Sequence, residues 1–297
     1  MSSALVKEIR RVRDTYRPPA TVAVPADPVG FARSVGIAPD PWQTAVLASE
    51  HPRKILCCGR QTGKSTVAGI LAIHKALTMP GATVLVVAPG ERQAKLLFAK
   101  AAGLYKRAGY PLPAHSERRT GLELSNGSVI EALPAVERTT RGYSVDLLIV
   151  DEAAAVPDMD YMGILPALIA TQGEQVLLST PRGKRGFFHE LYHSADDWQR
   201  VTVRSDETPR IRDEDLDVFR RMMPEQFFRQ EFYCEWLDTE GGLFSYEDVE
   251  AVLAAGEAVE AIQIGDDEWL ARRPVLGTRD TSRRGWGSTR PRATAWA

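Results

Sequence analysis

The chain has 297 residues, 44% apolar and 26% charged, with a formal net charge of −2, the ordinary balance of a globular protein with a sizeable core. Three cysteines, two of them adjacent at Cys57 and Cys58, exclude a disulfide framework and suit a reducing cytosol. No apolar run approaches the ~18 residues of a membrane span, and the basic N-terminus lacks the apolar stretch of a secretory signal, so no membrane association is expected.

Residues 1–40 are rich in Pro, Ala and Arg and read as a basic, extended lead-in with a short helix over Ser3–Tyr16. From Pro41 strands and helices alternate. Lys54–Cys58 reads as a buried strand and Gly63–Leu77 as a helix. The β-branched run Ala82–Ala88 is followed by a helix over Glu91–Ala108. Leu122–Leu124 and Val129–Ala132 flank Asn126-Gly127, a hairpin-turn signal. Leu147–Val150 and Gln175–Ser179 are two more buried strands. Then come a short helix over Gly186–Tyr192, an edge strand at Trp198–Val203 and an amphipathic helix over Pro224–Trp236, whose Phe227, Phe228, Phe232 and Trp236 read as core. Solid apolar strands separated by helices predict an α/β fold with a mostly parallel sheet covered on both faces. A domain spanning residues 41–240 is expected, with a boundary near the linker-like Asp238–Gly242. Residues 241–297 are too short for a second domain. They follow the linker with Tyr246–Ala255 and end in a tail where seven arginines face only Asp280.

Two segments carry the chemistry. Cys58-Gly59-Arg60-Gln61-Thr62-Gly63-Lys64-Ser65-Thr66 lies between a strand and a helix. Backbone N–H groups there converge on phosphate oxygens, helped by the positive end of the helix. Lys64 neutralises the β- and γ-phosphates, and Ser65 ligates Mg²⁺. The usual first glycine falls on Cys58, with Gly59 one place later. Leu147-Leu148-Ile149-Val150-Asp151-Glu152 is an aliphatic strand closed by two acids: Asp151 holds Mg²⁺, and Glu152 orients and deprotonates a water. Arg60 either stays with the phosphates or acts on the γ-phosphate as an arginine finger in cis. The pair of segments predicts Mg-dependent ATP hydrolysis by a P-loop protein.

These residues resemble the large terminase subunit of tailed bacteriophages, the motor that packages DNA into preformed capsids. The resemblance covers about residues 38–255 and implies a RecA-like (ASCE) sheet. Pro41-Trp42-Gln43 looks like the adenine-recognising element, with Gln43 on the base and Trp42 near it. Gly59–Ser65 is similar to the family's variant phosphate loop, which often lacks the first glycine and carries Arg at the place of Arg60. Thr140-Arg141-Gly142-Tyr143 leads to the acidic strand as in the family. Ser179-Thr180-Pro181 looks like the motif coupling hydrolysis to movement, and Phe228-Arg229-Gln230-Glu231-Phe232 like the helix that ends the motor. The resemblance implies ATP and Mg²⁺ as cofactors; double-stranded DNA, a portal protein and a small terminase subunit as partners; a ring of subunits on a capsid; and a place in the bacterial cytoplasm. Arg141, Arg182, Lys184 and Arg185 are the candidate DNA contacts.

A complete large terminase continues into a nuclease domain. Here Arg273–Gly277 starts something like that domain's first strand, and an arginine-rich stretch follows without an acidic cluster. The tail therefore reads as the truncated or frame-shifted start of that domain, and DNA cleavage is not expected. Two other readings are a helicase-type or repair ATPase and a non-catalytic, nucleotide-regulated DNA- or capsid-binding remnant.

Overall fold

Residues 23–136 and 142–237, with two short strands at 260–263 and 269–272, are described by a computed structural model of the chain. The expected helix at Ser3–Tyr16, the stretch Tyr246–Ala255, Arg141, and the strand-like Arg273–Gly277 lie outside the described residues. The chain divides into two units, Met1–Asp238 and Thr239–Ala297. In the second unit the described strands β9 (Glu260–Gln263) and β10 (Trp269–Arg272) pair antiparallel.

The first unit is built on an eight-stranded sheet. Its strands are β1 (Arg53–Cys58), β2 (Thr83–Ala88), β3 (Ala114–Glu117), β4 (Gly121–Leu124), β5 (Val129–Pro134), β6 (Leu147–Asp151), β7 (Glu174–Ser179) and β8 (Gln199–Val203). They lie in the order β3-β4-β5-β2-β6-β7-β1-β8. The pairs from β5 to β8 are parallel, and β4 and β3 add an antiparallel margin. One strand, β7, therefore separates the phosphate-loop strand β1 from the acidic strand β6.

The solid apolar runs are explained by period two. Leu56, Val84, Val86, Ile149 and Leu178 face one layer, where they meet α1 (Pro28–Ser34), α3 (Lys64–Thr78) and α4 (Glu91–Arg107). Ile55, Leu85, Val87, Leu148, Val150 and Leu177 face the other, against Tyr161 and Ile164 of α5 (Asp158–Ile164) and Phe187 and Phe188 of α6 (Gly186–His193). Both faces are dry, so neither shows an alternating polar row.

The extended lead-in expected to reach residue 40 turns helical at Pro28. Asp27 caps α1, accepting from the Gly30 N–H at 2.7 Å, and proline at the first helical position has its φ already set. Phe31 and Ala32 are fully buried in the core, so this segment belongs to the folded unit. The same Asp-Pro signal opens α2 (Pro41–Ala48), capped by Asp40. Near the end of the unit, α7 (Asp213–Met222) and α8 (Glu225–Tyr233) enclose a small cluster of Leu216, Phe228 and Phe232. Trp236 packs partly buried against the core, but Phe227, expected there too, is exposed.

Candidate functional site

The loop after β1 reverses at two left-handed residues, Gln61 (φ 62°) and Gly63 (φ 97°), before α3 begins at Lys64. Its inner side is fastened: the Thr62 hydroxyl donates to the Gly59 carbonyl at 2.9 Å, and the Gly63 carbonyl accepts from Thr66 N–H at 2.9 Å. Outside the loop, Arg60 N–H donates to the Glu231 carbonyl of α8 at 2.8 Å, and the Ser205 hydroxyl donates to the Arg60 carbonyl at 2.8 Å. The Arg60 side chain is mostly exposed, and its guanidinium is engaged by the buried Glu231 carboxylate. It is thus already paired rather than free above the loop, a contact not legible in the motif.

Gly59 has an unexpected reason to be glycine. A Cβ there would lie 2.6 Å from both the Phe232 carbonyl oxygen and the Ser205 hydroxyl. The displaced glycine thus serves close packing of the loop against α8 and the turn at Ser205–Glu207. Gly59→Ala is expected to destabilise the unit by about 1–3 kcal/mol, read as a lower urea midpoint with an unchanged slope.

On the other side of the site, Asp151 ends β6 and Glu152 follows it in a left-handed conformation (φ 50°). Such a backbone costs of order 1 kcal/mol or more for a residue with a side chain. It turns the Glu152 carboxylate to Lys64, with Nζ to Oε1 at 2.8 Å. Asp151 is buried and accepts from the Glu152 N–H at 3.1 Å. Burial, and then the negative charge of Glu152, push its carboxyl up to about 6, against the opposing pull of Lys64.

A carboxyl raised in the folded state holds a proton that the unfolded chain has already released. Stability therefore falls as pH rises between about 4 and 6, by up to about 3 kcal/mol for this group. Asp151→Asn lacks this component. In metal-free buffer its unfolding free energy relative to the parent is expected to rise across that window and to level off above it, as urea titrations at pH 4, 5, 6 and 7 will show.

A cavity of about 530 Å³ is lined by Ile37, Ala38, Gln43, Arg60, Gln61, Gly63, Lys64, Ser65, Thr66, Lys100, Glu152 and Arg210. A second cavity brings Ser65 together with Asp151 and Glu152. One hydroxyl and one carboxylate make a sparse donor set, which suits a Mg²⁺ that keeps several waters and takes phosphate oxygens.

The structure thus gathers Gln43, Arg60, Gln61, Gly63, Lys64, Ser65, Thr66 and Glu152 around one cavity, with Asp151 beside Ser65. Gly59 and Thr62 form its scaffold rather than its wall. Trp42, expected near the base, packs partly buried against the core and is not among the residues lining this cavity. On α2 the next residue, Gln43, is rotated about 100° from it and takes the cavity side. Ser179 and Thr180 are buried at the end of β7, and Ser179 pairs with Cys57 of β1 while Leu178 pairs with Asp151. They lie between the loop strand and the acidic strand. Arg182 and Arg185 are exposed in the loop that follows. Lys100 and Arg210, which motif reading missed, also line the cavity; their only signal was a positive charge in helical or loop sequence.

The family described as "Terminase large subunit, T4likevirus-type, N-terminal" matches residues 55–251. The large terminase subunit of Escherichia phage T5 is 30% identical over 227 residues, 72% of this chain and 52% of that protein. The chain thus spans about half the length of this relative. In three dimensions it is similar to the ATPase domain of the Thermus phage P74-26 large terminase, with a TM-score of 0.63 at 24% identity, covering 70% of this chain and 98% of that one. The large terminase of a thermophilic bacteriophage, solved in complex with ATP-gamma-S, gives 0.55 at 12% identity, covering 70% and 52%. At these identities the structural likeness establishes the fold, and the sheet is of that RecA-like kind. With the matched span covering most of the folded unit, the chain belongs to the terminase large-subunit family and carries its T4likevirus-type N-terminal part.

Proposed function

We propose that this chain is the ATP-hydrolysing motor part of a large terminase and couples hydrolysis to movement of double-stranded DNA into a procapsid. One observation carries the reading. Lys64 of the phosphate loop and Glu152 of the acidic strand meet at 2.8 Å, at the carboxyl ends of β1 and β6, inside the cavity that Gln43 also lines. Family membership supports it, and a related fold has been solved with ATP-gamma-S.

In this reading the loop N–H groups and Lys64 bind the β- and γ-phosphates, and Gln43 meets the adenine. Ser65 and Asp151 hold Mg²⁺, which when bound supplies positive charge to the phosphate oxygens. Glu152, released from Lys64 as that ammonium turns to phosphate, holds the attacking water and takes its proton. Arg60 supplies further positive charge toward the γ-phosphate once it leaves Glu231. Ser179 and Thr180, between the two catalytic strands, pass the loss of the γ-phosphate to the following loop, whose Arg182 and Arg185 grip DNA phosphates. The partners are duplex DNA, a portal protein and a small terminase subunit, and the working state is a ring of subunits.

Phosphate release from Mg-ATP, measured with and without duplex DNA and portal-bearing procapsids, tests the proposal. Turnover that duplex DNA or procapsids raise is the expected result. No turnover under any of the three conditions overturns the motor reading. In the DNA arm, replacing Arg182 and Arg185 with alanine is expected to lessen the slope of log affinity against log salt by about 0.9 for each phosphate no longer neutralised. An unchanged slope removes them from the DNA surface.

A further inference from the structure

Gln43 can recognise a base only if its amide is held one way round. Its Oε1 accepts from the Asp40 N–H at 3.0 Å, and its Nε2 donates to the Thr62 carbonyl at 3.5 Å, a long contact. So oriented, the amide offers one further acceptor site and one further donor. That pair matches adenine, which presents an N6–H₂ donor beside the N7 acceptor, and clashes with guanine, where O6 and N7 both accept. Selectivity then rests on whatever fixes Asp40 and Thr62.

Both are held by one side chain from far along the sequence. Arg210, in the connection before α7, places Nη1 2.6 Å from Asp40 Oδ1 and Nη2 3.1 Å from the Thr62 carbonyl oxygen. Arg210 lines the same cavity as Gln43, and the missing Cβ of Gly63 leaves the room in which both approach: it would stand 2.5 Å from Gln43 Nε2 and 3.2 Å from Arg210 Nη2. The Asp40 side chain is nine-tenths buried, and its other oxygen, Oδ2, has no hydrogen-bond partner. The Arg210 ion pair therefore offsets the burial of that charge together with the positive end of α2.

We propose that Arg210 is a positioning residue for nucleobase selection. By bridging the cap of α2 to the phosphate loop, it locks the Gln43 amide in the orientation that accepts adenine and rejects guanine. This rests on the nucleotide-binding reading given above. The planar fork of a guanidinium is suited to the task, because it reaches a carboxylate and a carbonyl at once, whereas a lysine ammonium reaches one as a point charge.

The test compares the dissociation constants of ADP and GDP, and the kcat and KM of ATP, for the parent and for Arg210→Ala, Arg210→Lys, Asp40→Asn and Gln43→Ala. Asn is as good a helix cap as Asp, so Asp40→Asn removes the ion pair while leaving α2 capped. In Arg210→Ala and Asp40→Asn, ADP affinity is expected to fall about tenfold, the scale of one charge-assisted hydrogen bond, and the ADP-over-GDP preference to collapse toward that of Gln43→Ala. Arg210→Lys is expected to recover part of the selectivity. A merely structural role would lower the melting temperature and leave the ADP-to-GDP ratio intact; that outcome overturns the proposal. Should Arg210→Ala fail to fold, Asp40→Asn and Arg210→Lys decide by the same ratio. A parent that binds neither nucleotide defeats the underlying nucleotide reading, while a parent that prefers ADP and variants that keep its full preference defeat Arg210 alone.

Discussion

Lys64→Ala is expected to lower ATP turnover below detection and to weaken ADP binding by about ten- to a hundredfold, the scale of losing a charged hydrogen-bond donor to phosphate. Two effects combine. The Lys64 ammonium stands at the end of the loop, and it also holds Glu152 at 2.8 Å. Alanine removes the proposed phosphate contact and leaves the Glu152 carboxylate without that partner. The fold itself should survive, because alanine is the best helix former and Lys64 opens α3. Calorimetric titration with ADP and a phosphate-release assay separate the two losses. Normal ADP affinity in a folded Lys64→Ala protein would take the cavity away from the phosphates altogether.

Glu152→Gln makes a contrasting prediction. Glutamine keeps the length and shape of the side chain and still accepts from Lys64, but it cannot take a proton. Turnover is expected to fall by about 10² to 10⁴, the usual contribution of a positioned general base, while ADP and ATP remain bound at parental affinity or better. The left-handed backbone at Glu152 gives this substitution an advantage over alanine, since it preserves the contact that repays the strained turn. A variant with both binding and turnover lost would place Glu152 in the structure of the site rather than in the reaction. Equal turnover in the two proteins would remove it from the chemistry.

Much of the sheet was legible because both of its faces are buried. Strands such as Val84–Ala88 and Leu147–Val150 are apolar at every position, so they declare themselves without any knowledge of their partners. The placement of Lys64, Ser65, Asp151 and Glu152 was legible for a related reason: they stand where β6 ends or α3 begins. What escaped was set by distant partners. Gly59 looks like a misplaced loop glycine until the Phe232 carbonyl is found against it. Arg60 looks free until Glu231 is seen, and Arg210 is one loop charge among many until Asp40 and Thr62 are found against it. The helix at Pro28–Ser34 is a different kind of miss. Its Asp-Pro start was readable, but the surrounding proline density outweighed it. The amphipathic pattern at 224–236 located α8 but extended it past Tyr233, where Cys234 takes a left-handed conformation and ends it.

The clamp of the phosphate loop by Glu231, Ser205 and Arg210 has a consequence for how the protein is made. Arg60 and Glu231 are 171 residues apart, and Thr62 and Arg210 are 148. Strand β1 is likewise flanked only by β7 and β8, which a ribosome delivers more than a hundred residues later. At ordinary translation speeds the loop is synthesised roughly 10–30 s before its last support. For most of that interval, until β7 is made, its strand has no neighbour on either edge. Closing so long a segment is slow, because the chain gives up loop entropy before long-range contacts repay it. Fastening of the loop is thus among the last steps of this domain's synthesis, and a nascent chain stopped short of α8 carries the motif without the Glu231 contacts that hold Arg60.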